Sequence, residues 1–208
     1  MPDNMPSSSA CKQGVIILAL DPAKTTGWAI GTPGDAPIYG STTFGSAGCS
    51  HESIFMHGLV WFSNFLKAQP GITLITMEAK LPPTFVRGKT TKHTLDVLYG
   101  LPAIFKAVAR CRNVVDIREA STGDVRGHFI NDRTCKRAEA KQEVMQMCRM
   151  LGWSPHDDNA GDALALWHYT CSLFEPKMAL EVTPMFRSGV IDDRSLRVDR
   201  AGRARTAR

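Results

Sequence analysis

"VIILALDPAKTTGWAIG", residues 15–31, is the stretch on which the reading of this chain turns. Val15 to Leu20 is an unbroken apolar run, and it ends on an acid, Asp21. A continuous β-rich run of this kind suits a central strand covered on both faces. Thr25, Thr26 and Gly27 are expected to turn the chain, and Trp28 to Ile30 then starts a second strand. Downstream the pattern returns. Ile72 to Met77 is another short apolar run, closed by Glu78. Two strands that read as buried therefore both deliver a carboxylate at their ends.

The elements between and after them fix the fold class. Pro33-Gly34-Asp35 is a turn, and Ile38 to Phe44 reads as a third strand. Short turns of this kind imply antiparallel hairpins. From Ser50 the period changes: Ile54, Leu59, Phe62, Phe65 and Leu66 recur at helical spacing, and Pro70 stops them. Residues 80–92 form a loop rich in Pro, Thr and basic side chains, and 94–109 is helical, with Gly100 and Pro102 as places for a kink. Residues 113–117 read as a fifth strand, and 121–131 as a connecting segment. A strong helix pattern covers 133–151, a loop with Pro155 covers 153–159, and a last helix covers 160–174 before Pro176. Three antiparallel strands followed by alternating helices and strands make an α/β chain with a mixed five-stranded sheet flanked by helices.

The 208 residues are 43% hydrophobic, enough for one domain with a proper core. We expect that domain at 14–176, after a disordered lead over 1–13 and before a disordered tail over 177–208. The tail's end, RSLRVDRAGRARTAR, sets six arginines against one aspartate and offers almost nothing to a core. Net charge is +5, which favours an anionic partner such as nucleic acid. Cys11, Cys49, Cys111, Cys135, Cys148 and Cys171 include no C-x-x-C pair, which argues against a zinc ribbon and for reduced thiols in the cytoplasm. No apolar stretch approaches the roughly 20 residues of a membrane helix, and MPDNMPSSSA lacks the pattern of a signal peptide.

"HDDNAGDALALW", residues 156–167, supplies the third acidic group. Asp158 and Asp162 are four apart, so at the start of a helix they share a face. Taken singly, each acid has an ordinary role: Asp21 in a turn, Glu78 at a strand end, Asp158 as a helix cap. Taken together they would repel one another unless a hard cation neutralised them. Mg²⁺ prefers oxygen ligands, and a pair of such ions about 3.5–4 Å apart clamps the attacking water and leaving oxygen of a phosphodiester.

"ILALDPAKTTGWAIG" (16–31), "ITMEAK" (75–80) and "NAGDALALW" (159–167), in this order and spacing, resemble RuvC-type Holliday junction resolvases of the ribonuclease H-like superfamily, especially the divergent forms carried by phages. The resemblance covers roughly residues 14–174. It implies a ribonuclease H-like fold and a metal-dependent endonuclease that cuts four-way junctions, leaving 5′-phosphate and 3′-hydroxyl ends. It also implies Mg²⁺ as cofactor, replaceable by Mn²⁺, and a two-fold homodimer. The family's first-strand aspartate falls on Asp21, its fourth-strand glutamate on Glu78 and its last-helix aspartate on Asp162. Its further Asp or His, three residues earlier, falls on Asn159; we expect the adjacent Asp158 to serve as the fourth ligand, since a carboxylate binds Mg²⁺ better than an amide does, with Asn159, as a carbonyl-oxygen ligand or an orienter of water, the open alternative. The family's DPG is DPA here, so Ala23 stands in place of a turn glycine.

Thirteen Lys or Arg against six acids lie between Lys80 and Lys141. Lys80, Arg87, Lys89 and Lys92 follow Glu78, and Lys136, Arg137 and Lys141 lie on a later helix; both groups suit phosphate positioning. In the family the loop after the glutamate reaches into the junction with an apolar residue, a role for Leu81 or Phe85 here. The helix at 94–109 is the expected dimer interface. Two other readings stay open: a catalytically weak protein that binds branched DNA, and a ribonuclease H-like nuclease with another substrate.

Overall fold

The computed structural model describes residues 14–80 and 91–175. The lead, the tail beyond 175, and Leu81, Phe85, Arg87 and Lys89 lie outside the described residues. Five strands form one sheet: β1 (Ile16–Asp21), β2 (Thr25–Gly31), β3 (Ile38–Thr43), β4 (Ile72–Glu78) and β5 (Asp116–Ala120), in the order β3-β2-β1-β4-β5. β1–β2 and β2–β3 are antiparallel, and β4 and β5 add in parallel. This is the mixed sheet expected from the sequence.

Helices cover both faces because β1 is apolar from Ile16 to Leu20 and β4 buries Leu74 on one face and Ile75 and Met77 on the other. Leu18 and Leu20 pack with α1 (His51–Ala68) and α2 (Lys92–Cys111), through Ile54, Phe62, Leu101 and Phe105. Ile17 and Ala19 point the other way, to α3 (Thr122–Phe129), α4 (Arg137–Met150) and α5 (Asp158–Ser172), around Trp167, Leu164 and Phe129. Alternation along β1 thus sends Asp21 to the α3–α5 face, and alternation along β4 from Leu74 sends Glu78 there too.

Four local expectations are corrected. Thr25 to Gly27 belong to β2, and the turn lies before them, where the Thr26 hydroxyl donates to the carbonyl of Ala23 at 2.7 Å and accepts from its N–H at 3.2 Å. Ala23 is not among the residues of positive φ, so glycine is not needed at that turn. β5 starts three residues later than expected, because Asn113 takes a left-handed conformation (φ 62°) that closes the end of α2. Residues 121–131 are not a mere connection: Ser121 caps α3 by accepting from the N–H of Asp124. α4 begins at Arg137 rather than Arg133, because Asp132 folds the preceding turn by accepting from the N–H of Thr134 at 2.8 Å.

The seating of α5 depends on Gly27. A Cβ there would stand 2.0 Å from the carbonyl oxygen of Asn159, so the first turn of α5 rests on bare β2 backbone. Asp157 caps α5 by accepting from the N–H of Ala160 at 2.8 Å, and its other oxygen accepts from the Ser41 hydroxyl of β3 at 2.6 Å. Gly27→Ala is therefore expected to lower stability by about 1–3 kcal/mol, as overpacking does. Urea unfolding checks it, and an unchanged midpoint would contradict the tight seating.

Candidate active site

The acids meet because of strand register. Leu20 pairs with Met77 in the parallel β1–β4 ladder, so the next residues, Asp21 and Glu78, come out side by side on one face. Asp162, from the first two turns of α5, faces the same cleft. Asp21, Glu78 and Asp162 line it with Thr122 and Arg126 of α3, and Val125, Val144, Ala165 and Leu166 form its apolar wall.

Each carboxylate sits in a distinct electrostatic setting. Burial pushes the Asp21 carboxyl upward, but the Lys80 ammonium and hydrogen bonds from Glu78 and Lys80 outweigh burial and leave it below the ordinary range. Glu78 goes the other way, up to about 7, because it is buried and shares its space with Asp21. The two carboxyls therefore titrate as a pair, with Asp21 losing its proton first. Asp162 is raised to about 6, by burial first and by the charge of Asp21 second, with Lys141, Arg126 and Arg137 pulling against the rise. The Thr122 hydroxyl donates to Glu78 Oε1 and fixes that carboxylate's rotation.

The other expected site residues are placed as follows. Asp158 does not line the cleft; its carboxylate pairs with Lys141 of α4. Nor is it the helix cap, which is Asp157. Asn159 also turns toward Asp157, to which its side chain hydrogen-bonds. Lys80 is not on an open basic surface. Its Nζ donates to Asp21 Oδ1 at 2.9 Å and lies 3.9 Å from Glu78 Oε2. Lys92 opens α2 and is exposed, as are Lys136 and Arg137 at the start of α4. Thr122 and Arg126 escape the sequence reading, since two glycines make 121–131 look like a connection; the S-x-x-D spacing of Ser121 and Asp124 is the signal for a helix there.

Among the described residues, no three Asp, Glu, His or Cys side chains converge closely enough to hold one cation as they stand. The chemistry of the donor set nonetheless fits a hard divalent ion: three carboxylates on one cleft, with no thiol or imidazole in its lining. Glu78 and Asp162 are raised by burial first and by the charge of Asp21 second, and such an ion would offset both.

No protein-family model matches this chain, and none of the curated proteins does. Solved structures do. The chain is similar to Thermus thermophilus RuvC in complex with a Holliday junction substrate (TM-score 0.58, 12% identity, covering 79% of this chain and 96% of that one). It is similar to T. thermophilus RuvC in a second structure (TM-score 0.53, 14% identity, 79% and 96% covered). It is also similar to the yeast mitochondrial Holliday junction resolvase Ydc2 (TM-score 0.52, 10% identity, 85% of each chain). The fold is thus the RuvC-type, ribonuclease H-like one that the motifs implied.

The raised Glu78 pKa has a signed consequence. The folded chain keeps this proton where the unfolded chain has lost it, so Glu78 subtracts stability as pH rises from 4.5 to about 7. Glu78→Gln removes that loss. With chelator present, the variant's melting temperature is expected to gain on the wild type's across this window. Parallel pH profiles would contradict the crowding of the two carboxyls.

Proposed function

We propose that the chain is a metal-dependent, structure-specific endodeoxyribonuclease that cuts four-way or other branched DNA. The observation that carries this reading is the convergence of Asp21, Glu78 and Asp162 on one cleft at the sheet's edge. Its support is the RuvC-type fold, shared with a RuvC structure that contains a Holliday junction.

In this reading Asp21, Glu78 and Asp162 hold Mg²⁺, or Mn²⁺ in its place. Bound there, the ion supplies Lewis acidity and an activated water for phosphodiester hydrolysis. β1 and β4 keep Asp21 and Glu78 stiff, since both strand ends are braced by a sheet and two helical layers. Thr122 holds Glu78 in orientation. Arg126 and Arg137 bring positive charge to the cleft's rim, where a phosphate backbone would be positioned without base readout. Hydrolysis of this kind leaves 5′-phosphate and 3′-hydroxyl ends.

A two-fold homodimer would match the symmetry of a junction. α2 buries Leu101 and Phe105 in the core but leaves Tyr99 exposed, so it stays a candidate for the dimer surface beside α1, where Met56, Leu59 and Val60 share an exposed face. A catalytically weak branched-DNA-binding protein is the second reading. Asn159 at the family's fourth-ligand position and the pairing of Asp158 with Lys141 favour it.

Incubation of the chain with a four-way junction, linear duplex and RNA–DNA hybrid, with Mg²⁺, Mn²⁺ or chelator, tests these readings. Metal-dependent cutting of the junction is expected, and Asp21→Asn should abolish cutting while sparing junction binding. Tight junction binding without cutting in any metal would leave the second reading. A further expectation concerns α4. Neutralising Lys136 and Arg137 together should flatten the log–log salt dependence of DNA binding by about 0.9 for each phosphate that the variant no longer neutralises. An unchanged slope would take α4 out of the DNA interface.

A further inference from the structure

Lys80 stands two residues beyond Glu78, in the segment E-A-K, and extended alternation puts both side chains on the face that carries Asp21. The backbone there is held in place, because the N–H of Ala79 donates to the carbonyl of Ala120 at 2.8 Å. The Lys80 side chain is 18% exposed, against 15% and 24% for Asp21 and Glu78, so all three meet with little water between them. Among the described residues, Lys80 is the cation in ion-pair contact with these two carboxylates; Lys141 is engaged with Asp158 instead.

We propose that Lys80 is the resident counter-ion of the carboxylate cleft, and that a divalent cation loads the site by displacing it. The inference rests on the metal-dependent reading of the cleft. Its physical basis is exclusion. A hard cation coordinates carboxylate oxygen at about 2.0–2.1 Å. An ammonium at 2.9 Å from Asp21 Oδ1 occupies the same approach and carries the same sign of charge. The two do not share the site. Metal binding therefore draws on the fraction of molecules in which Lys80 has swung out, and the apparent affinity is lowered by that fraction. In return the lysine lets two touching carboxyls persist in a buried cleft when no metal is bound. It also accounts for the arrangement of the acids, which stand around an ammonium rather than a smaller ion.

The test uses the full chain without DNA and Mn²⁺ as the probe, with binding followed by the electron paramagnetic resonance signal of free Mn²⁺. Lys80→Met keeps the apolar stem and removes the charge, and Lys80→Gln does so with a polar end. Both are expected to bind Mn²⁺ about tenfold tighter than the wild type, since a like charge at a few ångströms is removed. Lys80→Arg keeps the charge and should stay near the wild type. Asp21→Asn should lose most of the binding. In chelator, Lys80→Met is expected to melt at a lower temperature than the wild type and to recover with Mn²⁺. If Lys80→Met does not fold, Lys80→Gln decides the question. Equal or weaker Mn²⁺ binding by folded charge-removed variants overturns the role of Lys80 and leaves the nuclease reading standing. No Mn²⁺ binding by the wild type or any Lys80 variant overturns both.

Discussion

The pairing of β1 with β4 is the constraint on which the site depends. Each strand buries apolar side chains on both faces, so its register is fixed by packing against helices on both sides. That register puts Asp21 beside Glu78. A slip of one residue would turn one carboxyl to the opposite face. The chain thus uses its core to hold together two like charges that would separate in water. The cost appears in their titration, with one carboxyl held low and its neighbour raised to about 7.

The third acid arrives by a different route. Asp162 belongs to a helix, and a helix can slide or tilt on a sheet. Three features limit this here. Gly27 lets the first turn of α5 rest on β2 backbone, Asp157 ties that turn to Ser41 of β3, and Gly161 lets α5 approach Met145 of α4, where a Cβ would stand 2.9 Å from its sulfur. Below this, Trp167 is fully buried between the sheet and Trp153. The direction of the Asp162 carboxyl is therefore set by contacts on both sides of the helix.

Much of this is legible in the sequence, and what is not has physical causes. Short, largely apolar runs ending in acids mark β1 and β4, because a strand covered on both faces needs apolar side chains on both. The short turns mark the antiparallel half of the sheet. α3 is obscured because Gly123 and Gly127 dilute its helical signal, and Thr122 and Arg126 are hidden with it. Asp157 and Asp158 are neighbours of like chemistry, and spacing alone does not say which caps α5 and which faces α4. Lys80 reads as part of the basic loop that follows it, since a sequence shows charge but not the side of the chain on which it lies. Its ion pairs follow from the alternation that also places Glu78.

The distribution of charge ties fold to chemistry. The chain is basic overall, at +5, yet its cleft is lined by three carboxylates and one arginine. The cations that act on those acids come from separate elements: Lys80 after β4, Arg126 on α3, Arg137 and Lys141 on α4. Such an arrangement attracts a polyanion to the rim and repels it from the centre. A phosphate backbone could approach the acids closely only if further positive charge entered with it or before it. That is the electrostatic demand a divalent cation meets, and Lys80 meets one unit of it in the cation's absence. The apolar wall of Val125, Val144, Ala165 and Leu166 sharpens the demand, because it lowers the local dielectric and leaves less solvent to screen the acids. The core packing that fixes the carboxylates and the low polarity that makes them require a counter-charge therefore have the same source.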